Sequence, residues 1–391
     1  MREPVPAMTE SNAAPRASLT ELFALFLQLG ATAFGGPAAH VALMQREVVE
    51  RRRWLDDKEF LDLLSVANLI PGPTSTELAI HIGWMRRKLI GSIVAGAAFI
   101  APAMALSMAC GWAYVSYGSL PQVSALLYGV KPAVLAIVVQ AFWTLVPKAA
   151  ATPRLRLLLV AALLASLFQL GELWILLGSG LVSLSLAEKP FGKQFGVAWL
   201  APAVPVYVAG AAPVTLPSLF GVFLKTGSLL FGSGYVLLAF LRADLVERLG
   251  WLSESQLMDA IAVGQITPGP VFTTATFIGY VLAGPSGALV ATSGIFLPAF
   301  VFVALTAPWV SRLRHSKRAS AFLDGVNAAS CALILYVSGE LARAALIDLP
   351  SALVFAASLF VLLRYRPNPT WVVLAGGAIG VAVAAAGLVV S

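Results

Sequence analysis

Long apolar runs, parted by short polar or Gly/Pro-rich joints, follow one another from Leu19 to the C-terminus. A helix needs about 20 apolar residues to cross a ~30 Å hydrocarbon core, and several runs meet that length. The pattern predicts an all-α polytopic membrane protein. Leu19 to Phe34 reads as a helix ending at Phe34-Gly35-Gly36-Pro37. A second helix restarts at Pro37 and turns polar toward Arg51, Arg52 and Arg53. Two short helices follow, about Asp56 to Ile70 and Thr74 to Met85. Leu89 to Tyr117, Val123 to Val146, Leu157 to Leu170 and Leu173 to Ala187 complete a first set.

The short helices meet at Pro71-Gly72-Pro73, and Pro268-Gly269-Pro270 repeats that break. Pro71 lacks an N–H and disfavours the helical region for the residue before it. Gly72 accepts turn geometry, and Pro73 has its φ preset for a new helix. A helix is therefore expected to restart at Thr74 and at Val271, with free N–H groups and a positive dipole end that suit an anion. Irregular backbone inside a membrane survives only within protein or beside a water-filled cavity. Two matched breaks point to a transporter's substrate site; structural kinks are the plainer alternative.

The match extends beyond the breaks. Phe34-Gly35, Glu50-Arg51, Trp54-Leu55, Asp62 and Pro71 recur as Phe231-Gly232, Glu247-Arg248, Trp251-Leu252, Asp259 and Pro268, at a constant offset of 197. Beyond the break Gly83, Pro102 and Gly129 recur as Gly279, Pro298 and Gly325. The expected organisation is a loose N-terminal tail (1–17), a first membrane repeat (18–190), a linker that crosses the membrane (191–214) and a second repeat (215–391).

Charge sets the orientation. The chain has 391 residues, 59% hydrophobic and only 12% charged, so its net +7 marks cytoplasmic loops and not a nucleic-acid partner. Arg51 to Arg53 and Arg86-Arg87-Lys88 bracket the first pair of short helices, which is expected to be a re-entrant hairpin with its tip in the membrane. The loop after the second pair, Ala283 to Gly287, carries no charge. The basic cluster Arg312, Arg314, Lys317 and Arg318 comes one crossing later. The second half is thus expected upside down, an inverted-topology repeat. That requires Ala198 to Ala212 to cross. It puts the N-terminus in the cytoplasm and the end of the Thr370–Val390 helix outside.

Polar groups inside such a bundle are candidates for function. Lys131 and Lys225 stand within apolar segments and would supply positive charge to an anion, or form structural ion pairs. Asn68 and Gln265 precede the two breaks by three residues; they would aim amides at the tips or bond between helices. Thr74, Ser75, Thr76, Thr273 and Thr274 would cap their helices or donate to an oxyanion. The candidate substrate site comprises Asn68, Pro71, Gly72, Pro73, Thr74, Ser75, Gln265, Pro268, Gly269, Pro270, Val271, Phe272, Lys131 and Lys225. The candidate hinges are Phe34, Gly35, Gly36, Pro37, Phe231, Gly232 and Gly234. His40 and Glu77 are candidate proton-coupling groups, with helix packing and a salt bridge as their respective alternatives. Cys110 and Cys331 lie far apart in apolar segments, without metal or redox spacing. No nucleotide-binding motif, metal-ligand cluster or nucleophile–base pair stands out, so neither an enzyme nor a cofactor or metal is expected.

Phe34-Gly35-Gly36-Pro37-x-x-His40, Glu50-Arg51-Arg52-Arg53-Trp54-Leu55 and Pro71-Gly72-Pro73 resemble the N-terminal motifs of the chromate ion transporter family. Phe231-Gly232-x-Gly234-Tyr235-Val236 and Thr267 to Phe272 resemble its C-terminal set. The resemblance implies the long, two-domain form, a multi-pass protein of the bacterial inner membrane that exports chromate and confers resistance. It departs at Thr74, where the family often has Asn. Expected partners are chromate or the similar dianion sulfate, the lipid bilayer, and a second copy of the chain as one assembly. Transport is expected to be secondary, with one half rocking against the other. Import or exchange of sulfate, a passive anion channel and a membrane-embedded enzyme are the rival readings.

Overall fold

A computed structural model gives the structure of residues 17–34, 36–187, 213–230, 234–309 and 317–387. The expected tail up to Arg16, nearly all of the linker with its Ala198–Ala212 crossing, Arg312, Arg314, and the hinge residues Gly35, Phe231 and Gly232 lie outside these residues. All regular structure among them is helical.

Each half starts with a capped apolar helix, α1 (Leu19–Thr32) and α8 (Leu216–Leu229). Ser18 with Glu21, and Thr215 with Ser218, form reciprocal capping boxes that satisfy first-turn N–H groups. Next come α2 (Pro37–Gln45) and its mate α9 (Leu237–Leu241), each continuing into a π-helical turn, Arg46–Arg51 and Arg242–Arg248. Then α3 (Asp57–Ala67) and α10 (Glu254–Ile266), both with capping boxes, run to the Pro-Gly-Pro breaks.

Past the breaks the chain enters α4 (Thr74–Tyr117) and α11 (Thr274–Thr306), the latter through a 3-10 turn at Val271–Thr273. Neither is one straight helix. Arg87 and Lys88 (φ −141°, +52°) and Ala283 and Gly284 (φ −147°, +62°) leave helical geometry in the same way at repeat-related positions. The Ser92 hydroxyl donates to the Ile80 carbonyl at 3.1 Å. In a straight helix those residues lie about 18 Å apart, at 1.5 Å per residue. The chain therefore doubles back, and α4 is a hairpin of a half-helix (74–86) and a long helix (89–117). In the second half the Thr276 and Thr292 hydroxyls, 2.7 Å apart, close the same hairpin. Gly83 and Gly91 meet backbone to backbone across the turn, as do Gly279 and Gly287. Small residues permit that approach in a membrane helix pair.

The long arm of α4 packs against both arms of the α11 hairpin: Gly96 meets Phe300 and Tyr114 meets Phe277. The remaining helices are α5 (Pro121–Ala149), α6 (Pro153–Leu167), α7 (Glu172–Ala187), α12 (Lys317–Ala345), α13 (Leu349–Tyr365) and α14 (Pro369–Ala385). They pack crosswise: α5 lies against α13 and α14 of the other half, and α12 against α6 and α7. Gly129 of α5 touches the backbone of Gly376 and Gly380 of α14, and Gly325 of α12 that of Ser179 of α7. The halves interleave, so the expected rocking of one half against the other would have to shift these contacts. Apolar side chains such as Ile90, Val115, Leu157, Leu353 and Phe360 point outward, with Trp112, Trp143 and Trp371 among them. Such an apolar exterior suits lipid.

Gly91→Val should force the first hairpin open, at a cost of about 1–3 kcal/mol or more for overpacking. Thermal unfolding of detergent-purified protein should start several degrees lower; an unchanged midpoint contradicts the hairpin.

Candidate functional site

The two breaks are tied to the opposite halves by a reciprocal pair of backbone bonds. Gly72 N–H donates to the Leu230 carbonyl at 2.7 Å, and Gly269 N–H donates to the Ala33 carbonyl at 2.9 Å. Both pairs carry the repeat offset, so one bond is the image of the other. Each glycine has positive φ, +139° and +87°, which a side chain resists. Residues 33 and 230 are the C-caps of α1 and α8, whose terminal carbonyls need an outside donor.

After each break the first N–H groups are left over. Thr76 and Glu77 N–H bond to the Pro73 carbonyl at 2.8 and 3.0 Å, and Thr273 N–H bonds to that of Pro270 at 3.0 Å. The N–H groups of Thr74 and Ser75, and of Val271 and Phe272, have no acceptor among the described residues. All four residues line one cavity of ≈ 830 Å³, together with Gly72, Pro73, Pro270, Asn68 and Gln265. Two helix N-termini from opposite halves thus open on one space, a donor arrangement suited to an oxyanion. The volume exceeds that of a tetrahedral oxyanion, leaving room for its water.

His40 of α2 forms part of the wall and is buried. Its Nε2 lies 3.0 Å from the Ala33 carbonyl, which only accepts, so this nitrogen carries the proton. Nδ1, 3.2 Å from Ser75 Oγ, then accepts from the hydroxyl. His40 also stands edge-on to Phe99, ring centres 5.6 Å apart. It thereby links the first break to the carbonyl that holds the second. Gly36 and Pro37 line the cavity near it and Gly234 lines the opposite wall, whereas Phe34 does not. Tyr235 shares a hydrogen bond with the Gln265 side chain. Pro71, Pro268 and Gly269 are buried behind the cavity surface.

The structure separates the two lysines from this cavity. Lys131 Nζ donates to Ser255 Oγ at 2.6 Å and lies 3.7 Å from Asp259, which also accepts from the Tyr114 hydroxyl at 2.9 Å. Lys225 sits 2.8 Å from both oxygens of Asp244, a carboxylate shared with Arg248. Their placement as substrate ligands is corrected to the ion-pair alternative: a carboxylate from another element already neutralises each. The cation that does line the cavity is Lys148, at the exposed end of α5, opposite Asp324, Asn327 and Ser330 of α12. Ser330 Oγ is buried without a partner among the described residues. Lys148 had the signal of a loop charge closing a helix, and its inward direction is set by packing. The Thr273 and Thr274 hydroxyls donate to the carbonyls of Pro270 and Val271, and Thr273 makes no side-chain cap bond. Glu77 is fully buried and outside the lining. No cluster of metal ligands occurs among the described residues.

The two sides of the cavity are packed unequally. α10 lies against α5, α11, α12 and α14, while α3 has α4 as its one substantial neighbour among the described residues. Lys131 and Asp259 clamp α10 to α5. Asp62 and Asn327, their counterparts at the α3 side, are not both charged, and Asn327 faces the cavity. α10 is thus the more firmly held of the two short helices.

The family model for chromate transporters matches the chain twice, over residues 20–184 and 217–381. The chain is 33% identical to a chromate transport protein of Cupriavidus metallidurans over 390 residues, covering 97% of each chain. It is 34% identical to a chromate transport protein of Pseudomonas aeruginosa, covering 94% of this chain and 92% of that one. It is 34% identical to a probable chromate transport protein of Synechococcus elongatus, covering 92% and 95% respectively. No solved structure matches the chain.

Gly72→Ala and Gly269→Ala should each destabilise the fold by about 1–3 kcal/mol through the disfavoured φ. His40→Phe, which keeps the ring contact and loses both hydrogen bonds, should cost a similar amount. Unfolding midpoints equal to wild type for all three would contradict the reciprocal clasp.

Proposed function

The chain belongs to the chromate transporter family, and from that premise we propose that it carries chromate across the bacterial inner membrane as a secondary exporter. The observation that carries the reading is the shared cavity, on which two helix N-termini from opposite halves open with unused N–H groups. A tetrahedral dianion accepts hydrogen bonds on every face and gains from both dipoles. In this reading Thr74, Ser75, Val271 and Phe272 supply main-chain donors. Ser330 adds a hydroxyl, Asn68 and Gln265 flank the two sides, and Lys148 draws the anion in from the mouth. The sequence carries no nucleotide-binding motif, which favours a gradient as the driving force.

Alternating access then comes from the two short helices and not from the halves as bodies. In this reading the loosely packed α3 side is the open one and the α10 side is clamped by Lys131 and Asp259; the exchanged state would pack α3 inward and release α10. Because the charge pattern puts Arg51–Arg53 and Lys148 on the cytoplasmic side, the open side faces the cytoplasm, as loading for export requires. The N-terminus then lies in the cytoplasm and the C-terminus in the periplasm. Sulfate shares charge and shape with chromate and is the natural competitor.

Chromate flux in vesicles of known orientation tests the reading. Flux should require the protein, respond to an imposed gradient and fall with excess sulfate; passive, gradient-insensitive leakage would contradict it. Lys148→Ala should raise the half-saturating concentration about three- to tenfold with little change in maximal rate, the worth of about 1 kcal/mol of attraction. Lys131→Met should loosen the closed side. A cysteine at Ala262 on α10, in a background lacking Cys110 and Cys331, should then react faster with an impermeant thiol reagent. An unchanged rate would contradict the clamp.

A further inference from the structure

Behind the first break lie two ionisable side chains that no part of the anion site uses. Glu77 and His81 stand one turn apart on the same face of the half-helix 74–86, and both have 0% exposure. Among the described residues, neither carboxylate oxygen of Glu77 and neither ring nitrogen of His81 has a hydrogen-bond partner. Glu77 Oε1 packs directly against Gly72, the residue whose N–H holds Leu230. Apolar Ile80, Ala299 and Val303 pack together beside it.

The titratable groups of the surrounding elements stay away from the pair. Asp57, Lys58, Glu59 and Asp62 belong to α3, where Glu59 faces Arg86 at the far end of the half-helix. Arg87 donates to the Ala17 carbonyl and Lys88 stands over Trp84. Glu21 of α1 is engaged in its capping box, and His40 of α2 is held by Ala33 and Ser75. Asp259 of α10 is bound at the other end of the long helix, by Tyr114. α11 carries no acid, lysine, arginine or histidine.

A carboxylate ion with no partner is strongly disfavoured in such a place, whereas the neutral acid is tolerated. We propose that Glu77 and His81 form a proton-binding site whose occupancy is linked to the anion, so that the cavity takes up its oxyanion together with one proton on Glu77. The inference rests on the anion-transport reading and adds a co-carried proton to it: dianion and proton together carry a net charge of −1, which an inside-negative membrane potential drives outward. An ionised Glu77 would set a negative charge behind Gly72, against the dianion in front of it. Protonation removes that charge, so each species favours the other, and the linkage is reciprocal. His81 lies one turn nearer the Arg86 end and is a positioning residue on the proton's way to that side. When the break moves and the Gly72–Leu230 bond opens, Glu77 is uncovered and releases its proton.

The test uses the full-length protein in lipid nanodiscs, with chromate and sulfate as the probes. Wild-type affinity should fall as pH rises, approaching about tenfold per pH unit for one linked proton. Binding in weakly buffered solution should take up protons. Glu77→Gln should bind with the low-pH affinity at every pH and take up none; Glu77→Asp should restore the pH dependence. His81→Gln should keep the linkage and slow proton uptake. Infrared spectra of the anion-free protein should show a protonated-acid carbonyl band that Glu77→Gln removes, whatever anion the cavity prefers. Anion binding by the wild type without pH dependence or proton uptake overturns the proposal, as does pH dependence that survives in Glu77→Gln. If neither anion binds, the transport reading falls and takes the linkage with it, while the infrared band still reports the proton on Glu77.

Discussion

Two backbone hydrogen bonds, from Gly72 to Leu230 and from Gly269 to Ala33, hold the arrangement on which everything else depends. Each break leaves the chain with an N–H that cannot bond within its own helix, and each first helix ends with a carbonyl in the same position. In a hydrocarbon slab neither can be left to lipid. Exchanging them between halves satisfies both needs and brings the two interruptions to one place. The cavity between them follows, and so do its four remaining donors. His40 adds a side-chain strut to the same junction by bonding Ala33 from one nitrogen and Ser75 from the other.

Interleaving is the second constraint. Because α5 packs on α13 and α14, and α12 on α6 and α7, many of the largest helix contacts lie between the repeats. Separating the halves would expose that surface and part the close glycine contacts of α5 with α14. In the proposed cycle the small elements do the moving. The short helices α3 and α10 are hinged at Pro-Gly-Pro, have unequal packing and sit at opposite sides of the cavity. In the proposed cycle the second state exchanges the two environments between the repeats.

Much of this was legible in the sequence. The constant offset between Pro71 and Pro268, the charge pattern around Arg86-Arg87-Lys88 and Ala283 to Gly287, and the helix restart at Thr74 are local signals, and local signals survive without coordinates. The lysines were not legible. Lys131 meets Asp259 128 positions away, a pairing made by crosswise packing that leaves no trace in spacing. Lys225 meets Asp244 only because the π-helical turn carries that carboxylate inward. Lys148 looked like a loop charge because its helix ends there, yet the same end forms the cavity mouth. His81 could have been found: it follows Glu77 by four residues, the interval that puts two side chains on one helical face. The crosswise pairing of helices had no signal, since a helix with small residues on one face will fit either neighbour.

The most direct measurement is an experimental structure of the protein with chromate, read through the anomalous scattering of chromium. The account predicts one peak in the cavity, within hydrogen-bonding distance of main-chain N–H groups from both Thr74–Ser75 and Val271–Phe272. A peak at Lys131 or Lys225, or one touching a single break with the other turned away, would contradict it.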